Sequence, residues 1–200
     1  HAIPMDISKG TISGETRVVA SEIGFQPSTF WGAFAVAQNG TLIYNSSPGA
    51  ASSALQWFDR SGKQLGRVGE VGVLANPTLS PDGNRLAYDS ADVKANNVDV
   101  WIRDLRSGSN SRFSFSPAED VVGVWSRDGS NIAYRSNSNR STVVVKATQG
   151  LADGKGLVSI EVGDIVPTAW SLDDAKVLGL RTGPKGATLV LADRASGNLS

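Results

Sequence analysis

The sequence predicts an all-β fold, a β-propeller of four-stranded antiparallel blades, on three observations. A turn phrase recurs as "LSPDGNRLAY" at 79–88, "WSRDGSNIAY" at 125–134 and "WSLDDAKVLGL" at 170–180, with a looser copy, "VAQNGTLIY", at 36–44. Its turn residues Gly40, Gly83, Gly129 and Asp174 follow one another at steps of 43, 46 and 45 residues. A second series of turn glycines, Gly62, Gly108, Gly150 and Gly197, runs in phase with the first at steps of 46, 42 and 47 residues. Self-similarity at this period marks a propeller or another stacked array. The third observation is that each repeat divides into four short strands. A lone meander of that size cannot bury both faces, so the sheets must stack, and stacking around an axis leaves only short, protected edges.

The best-preserved repeat gives its elements in order. "NPTLS" is a first strand, and "SPDGN" is a turn in which proline fixes φ and glycine takes a conformation that side chains resist. "RLAYDS" is the second strand and "ADVKANN" a polar loop. "VDVWIRDL", rich in β-branched and aromatic residues, is the third strand, followed by the turn "RSGSN" and a fourth strand, "SRFSF". Third strands with their turns recur at 55–66, 100–110, 143–150 and 189–198. Trp125 and Trp170 end first strands, where Leu79 stands in the preceding repeat, and Trp57 and Trp101 lie in equivalent third strands. Tryptophans that recur with the period are expected to pack between blades.

One propeller domain is thereby divided. Residues 1–30 supply two outer strands of an incomplete blade plus a connection, 31–74, 75–119 and 120–165 are blades, and 166–200 is an incomplete blade. Either the chain is part of a larger wheel, or the N-terminal strands close a small ring by pairing with the last blade. Those strands, turning through Gly10 or Gly14, arrive as a pair and cannot simply supply one missing outer strand, so the expectation is a partial wheel.

Composition narrows the function classes. Of 200 residues, 40% are apolar, enough for a sizeable core. The 19 basic and 19 acidic side chains balance, without a basic run, so a nucleic-acid partner has no electrostatic support. No stretch approaches the ~20 apolar residues of a membrane helix, so direct membrane insertion by this chain is not expected, and the opening "HAIPMDISKG" lacks the blocks of a signal peptide. There is no cysteine for disulfides or thiolate zinc sites.

Catalytic chemistry finds little to stand on. The only histidine is His1, and the sequence has no Gly-x-Ser-x-Gly elbow, so neither a histidine-dependent triad nor a histidine metal cluster is expected. Asp82, Asp128 and Asp173 recur with the period, and an aspartate in a tight turn normally bonds its own backbone. Asp89, Asp92 and Asp99 in "DSADVKANNVD" could offer oxygen ligands but lack EF-hand spacing and read as a solvated loop. "LADGKGL" reads as a hairpin connection, not a phosphate loop. No catalytic residue, metal site or cofactor is assigned. The candidate binding residues are Asn76, Glu119, Asp120 and Asp164, which lie on the connections entering the innermost strands and so are expected to gather at one mouth of the central channel.

The phrases "NPTLSPDGNRLAY", "DVWIRDLRSG" and "VVGVWSRDGSNIAY" resemble the TolB-type (WD-like) family of bacterial propeller repeats, from Trp31 onward and most closely over 76–134. Arg127 and Leu172 stand where that pattern has proline, and Asp174 where it has glycine. More narrowly, "LQWFDRSGKQLGRVGEVG" running into "NPTLSPDG", together with the opening "IPMDISKGTISGE", resembles the propeller behind the membrane span of receptor-like bacterial serine/threonine kinases. The resemblance implies a periplasmic or extracytoplasmic sensory or protein-docking module, with a protein or small-molecule ligand at a propeller face. The chain carries no Gly-rich loop with its strand lysine, no His-Arg-Asp loop and no Asp-Phe-Gly, so this piece is not expected to be an enzyme. The alternative is an accessory propeller of a peptidase or of a lyase-type enzyme.

Overall fold

The computed structural model describes residues 3–6, 9, 11–19, 25–26, 31–32, 34–36, 42–45, 52–92, 95–150 and 152–200. The expected turns at Gly10 and Gly40, and His1, lie outside these residues.

Among the described residues every regular element is a β-strand. Two short pairs come first, β1 (Met5–Asp6) with β2 (Thr11–Ile12) and β3 (Phe25–Gln26) with β4 (Trp31–Gly32). The first four-stranded sheet holds β5 (Phe34–Val36), β6 (Leu42–Asn45), β7 (Ser53–Phe58) and β8 (Gln64–Gly72). The second holds β9 (Leu74–Leu79), β10 (Arg85–Asp92), β11 (Asn97–Asp104) and β12 (Asn110–Arg112), and the third β13 (Asp120–Trp125), β14 (Asn131–Asn137), β15 (Ser141–Ala147) and β16 (Lys155–Ile160). The fourth has β17 (Asp164–Trp170), β18 (Lys176–Gly183) and β19 (Gly186–Asp193). Beyond β19, Ser200 exchanges backbone hydrogen bonds with Leu191 at 2.8 and 3.0 Å. Within each sheet, neighbours in sequence are neighbours in space and antiparallel, the meander that the repeat predicts.

The recurring turn works as its residues dictate. In the second sheet Gly83 N–H donates to the Ser80 carbonyl (2.9 Å), and Ser80 and Arg85 close the hairpin (2.8 Å). The Asp82 carboxylate accepts the Ser80 hydroxyl (2.5 Å) and the Asn84 N–H (3.1 Å). The same bonds join Ser126, Asp128 and Ser130, and again Ser171, Asp173 and Ala175. The Ser80 hydroxyl draws Asp82 down to about 2, and the Ser126 and Ser130 hydroxyls draw Asp128 down to about 2. These aspartates are turn-formers. Gly83 and Gly129 both sit at φ +69°, and Asp174 holds the same left-handed conformation at +54°.

Sheets stack in chain order. The first strands lie against one another, β5 on β9, β9 on β13 and β13 on β17, which puts them on the axis side of the stack. Between the second and third sheets lie Ala87, Val100, Ile102, Phe113, Trp125, Ile132 and Tyr134, and between the third and fourth Ala133, Val143, Ile160, Ile165, Trp170 and Val177. Trp125 Nε1–H donates to the Thr78 carbonyl (3.1 Å), and Trp170 Nε1–H to the Val124 carbonyl (3.0 Å). Thr78 and Val124 hold the same place in their repeats. The periodic tryptophan is therefore an inter-sheet clamp that buries a ring and satisfies a backbone acceptor at once. Trp57 and Trp101 lie in equivalent strands but one position apart relative to Asp59 and Asp104. Because side chains alternate along a strand, they enter the cluster between the first two sheets from opposite sides.

Two details depart from the sequence reading. The fourth strand of the second sheet ends at Arg112, because Phe113 and Ser114 N–H both turn to the Val100 carbonyl (2.8 and 3.2 Å) as the Phe113 ring enters the core. The first strand begins at Leu74 and is bulged, with Asn76 at φ +46°; β13 is bulged at the matching place, with Val122 at +58°.

Candidate functional site

The bulges set the polar geometry of the axis side. In the second sheet the bulge turns the Asn76 amide inward, where Nδ2 donates to Asp89 Oδ2 at 2.5 Å. The Val122 N–H of the next sheet, freed from its own ladder by the second bulge, donates to both Asp89 oxygens at 3.0 and 3.2 Å. Asp89 is 1% exposed. Burial pushes its carboxyl up to about 7, against the hydrogen bonds from Asn76 and Val122, which favour the carboxylate. The reading of Asp89, Asp92 and Asp99 as one solvated loop is therefore corrected. Asp89 and Asp99 are buried strand residues, and Asp99 pairs with Arg112 at 2.8 Å, since a carboxylate that leaves water needs donors.

In the next sheet the charge reverses. Arg135 holds in β14 the place that Asp89 holds in β10, and its side chain is 10% exposed. Its Nη1 donates to Asp164 Oδ2 at 2.5 Å and its Nη2 to Glu119 Oε2 at 2.8 Å. Ser141 Oγ donates to the other Asp164 oxygen and accepts the Ile165 N–H at 3.0 Å. Glu119 precedes β13 and Asp164 opens β17, so one guanidinium joins the entrances of two adjacent sheets. The two carboxylates keep 46% and 34% of their side-chain surface exposed.

The four residues singled out by position thus fall into different settings. Glu119 and Asp164 meet on Arg135. Asn76 lies inside β9, not on a connection, and its amide is engaged by Asp89. Asp120 is fully buried; its Oδ1 accepts the Ser116 hydroxyl (3.0 Å), and its Oδ2 has no partner among the described residues. Asp89, set aside as part of a loop, and Arg135 and Ser141, not singled out, also belong to this site. The signal for the first two was present in "LAYD" and "IAYR", where a charge interrupts an apolar strand at the same place in consecutive repeats. Among the described residues no group of three or more His, Cys, Asp or Glu is arranged to hold a metal ion.

Stacked four-stranded meanders with their first strands on the axis define a β-propeller array, and solved structures bear this out. TolB from Acinetobacter baumannii matches with a TM-score of 0.76 at 19% identity, over 98% of this chain and 46% of that one. A putative TolB from Agrobacterium tumefaciens matches with a TM-score of 0.72 at 15% identity, over 89% of this chain and 67% of that one. A structure from a study of two prolyl endopeptidases matches with a TM-score of 0.57 at 13% identity, over 80% of this chain and 28% of that one. The chain therefore has the fold of TolB-type propellers and spans about half of the first of them and two thirds of the second. No family model and no curated protein sequence matches it.

Proposed function

We propose that this propeller is a non-catalytic binding module that docks a protein partner at the axis-side rim carrying Glu119 and Asp164. The observation that supports the reading is the Glu119–Arg135–Asp164 bridge. Two half-exposed carboxylates share one buried guanidinium, which fixes their positions across a sheet boundary and leaves a net negative rim. Asn76 and Asp120 act from behind it, by holding the bulges and strand starts that aim it. Such a rim selects a lysine- or arginine-bearing segment. Within a longer bacterial protein the module would serve as an extracytoplasmic sensor or docking platform, as its resemblance to kinase-linked propellers implies; no helix among the described residues is long and apolar enough to cross a membrane. The single-domain division at 31, 75, 120 and 166 belongs to the same proposal.

Titration with an alternating lysine–glycine hexapeptide, followed by amide NMR, tests the rim. Shifts centred on Glu119, Arg135 and Asp164 are expected, weakening with salt and falling several-fold in Glu119→Gln. Shifts elsewhere, or none, would sink the docking reading. A second reading, an accessory propeller of a peptidase, draws on the prolyl endopeptidase likeness, and a coding sequence that continues into a hydrolase domain would favour it over the first.

A further inference from the structure

Away from the acidic rim, a groove of about 210 Å³ opens between the outer strands of the first and second sheets. Its lining includes the apolar and aromatic side chains of Leu55, Val68, Tyr88 and Trp101, together with Ser90. Arg103 stands at its wall. The guanidinium lies in a slot between two glycines from different sheets: a Cβ at Gly69 would come within 3.3 Å of Nη1, and one at Gly108 within 3.2 Å of Nη2. Both glycines have positive φ, +74° and +75°, so the slot depends on backbone that side chains resist. Arg103 donates a hydrogen bond to a neutral acceptor, from Nη1 to Asn110 Oδ1 at 3.0 Å.

The ion pairs among the described residues draw their cations from Lys9, Arg67, Arg112, Arg135 and Arg140, and none includes Arg103. Glu70, which lies at the groove edge, is turned toward Arg67 at 3.9 Å. The result is a half-buried, oriented guanidinium with donors to spare, beside an apolar and aromatic lining with room for one side chain. We propose that this groove binds the free carboxyl terminus of a partner polypeptide ending in an apolar residue. The terminal side chain would sit over Trp101 and Tyr88, and the carboxylate would accept from Arg103, the planar fork that matches it. The occupant is anionic where the rim selects cations, so this site stands or falls apart from the rim.

Isothermal titration of the chain with acetyl-alanyl-leucine and with its carboxamide tests the inference. The acid is expected to bind at least about tenfold tighter than the amide, the factor that one charge-assisted hydrogen bond supplies. Arg103→Gln should reduce the acid to the level of the amide, whereas Arg181→Gln, the same loss of charge on the fourth sheet, should not. Should Arg103→Gln fold poorly, amide NMR on the unmodified chain replaces it, with acid-dependent shifts expected at Gly69, Ser90 and Gly108. Equal affinity for acid and amide, shifts confined elsewhere, or no binding at a Kd of about 1 mM would overturn the site.

Discussion

The boundary between the second and third sheets and the boundary between the third and fourth are built on one plan and finished in opposite ways. Both carry the indole clamp, Trp125 to the Thr78 carbonyl and Trp170 to the Val124 carbonyl. Both place a charged residue at the same point of the second strand. At the earlier boundary that residue is Asp89, which accepts the Val122 backbone N–H and stays sealed from water. At the later one it is Arg135, which reaches out to the half-exposed carboxylates Glu119 and Asp164. The apolar and indole contacts belong to the repeat, whereas the polar closure is particular to each boundary. A binding function can therefore be placed on one boundary without disturbing the stack.

The comparison breaks most severely at the shared element. Replacing either clamp tryptophan by alanine should cost about 3–5 kcal/mol in denaturant unfolding, because a buried ring and the partner of a buried carbonyl are lost together. A markedly smaller cost for Trp170→Ala than for Trp125→Ala would show that the clamp is not equivalent at the two boundaries.

Acidity distinguishes them next. Asp89 titrates near 7 in the folded chain and near 3.8 when unfolded, so between these values the folded state holds a proton that the unfolded state has released. Its contribution is complete below about pH 3.8 and is lost as the pH rises through about 7, with a slope approaching ~1.4 kcal/mol per pH unit. Asp89→Asn should flatten that slope, as read from unfolding curves across this range. An unchanged slope would move the titration to another group.

At the later boundary the bridge gives a smaller effect. Arg135→Met should destabilise by about 2 kcal/mol, since Asp164 loses a charged donor but keeps Ser141 and its exposure to water. The loss should shrink in high salt, unlike that of Asp89→Asn.

The smallest effect is expected at Asp174, the residue in the glycine place of the turn. Its carboxylate accepts the Arg127 N–H (2.8 Å) and the Asp128 N–H (3.2 Å) of the preceding sheet. Proline at 127 would have no N–H to give. The departures at Arg127 and Asp174 are thus two halves of one inter-sheet contact, in which Leu172 takes no part. Asp174→Gly should change stability by less than about 1 kcal/mol, because relief at φ +54° offsets the lost bonds. A double-mutant cycle with Arg127→Pro should show coupling of ~0.5 kcal/mol or more; strict additivity would remove the pairing.

The repeat, the turns, the strand order and the packing role of the tryptophans were legible in the sequence, because each rests on local chemistry. Ser80, Asp82 and Gly83 bond within a few residues of themselves, and alternation along a strand fixes which side chains face a neighbour. The candidate site was legible only in part. Glu119 and Asp164 could be picked out by their place before an inner strand, but nothing local says that they share Arg135, 16 and 29 residues away. Nor does anything local say that Asn76 is spent on Asp89 or that Asp120 is sealed.

The sequence by itself determined a stack of antiparallel meanders, the last incomplete, with periodic tryptophans packed between them. Only the tertiary structure decided which polar groups are consumed in closing each boundary and which remain for a partner. Hydrogen bonding and burial across a sheet boundary depend on the register between repeats and on bulges such as those at Asn76 and Val122, and these are set by packing after the local turns have formed.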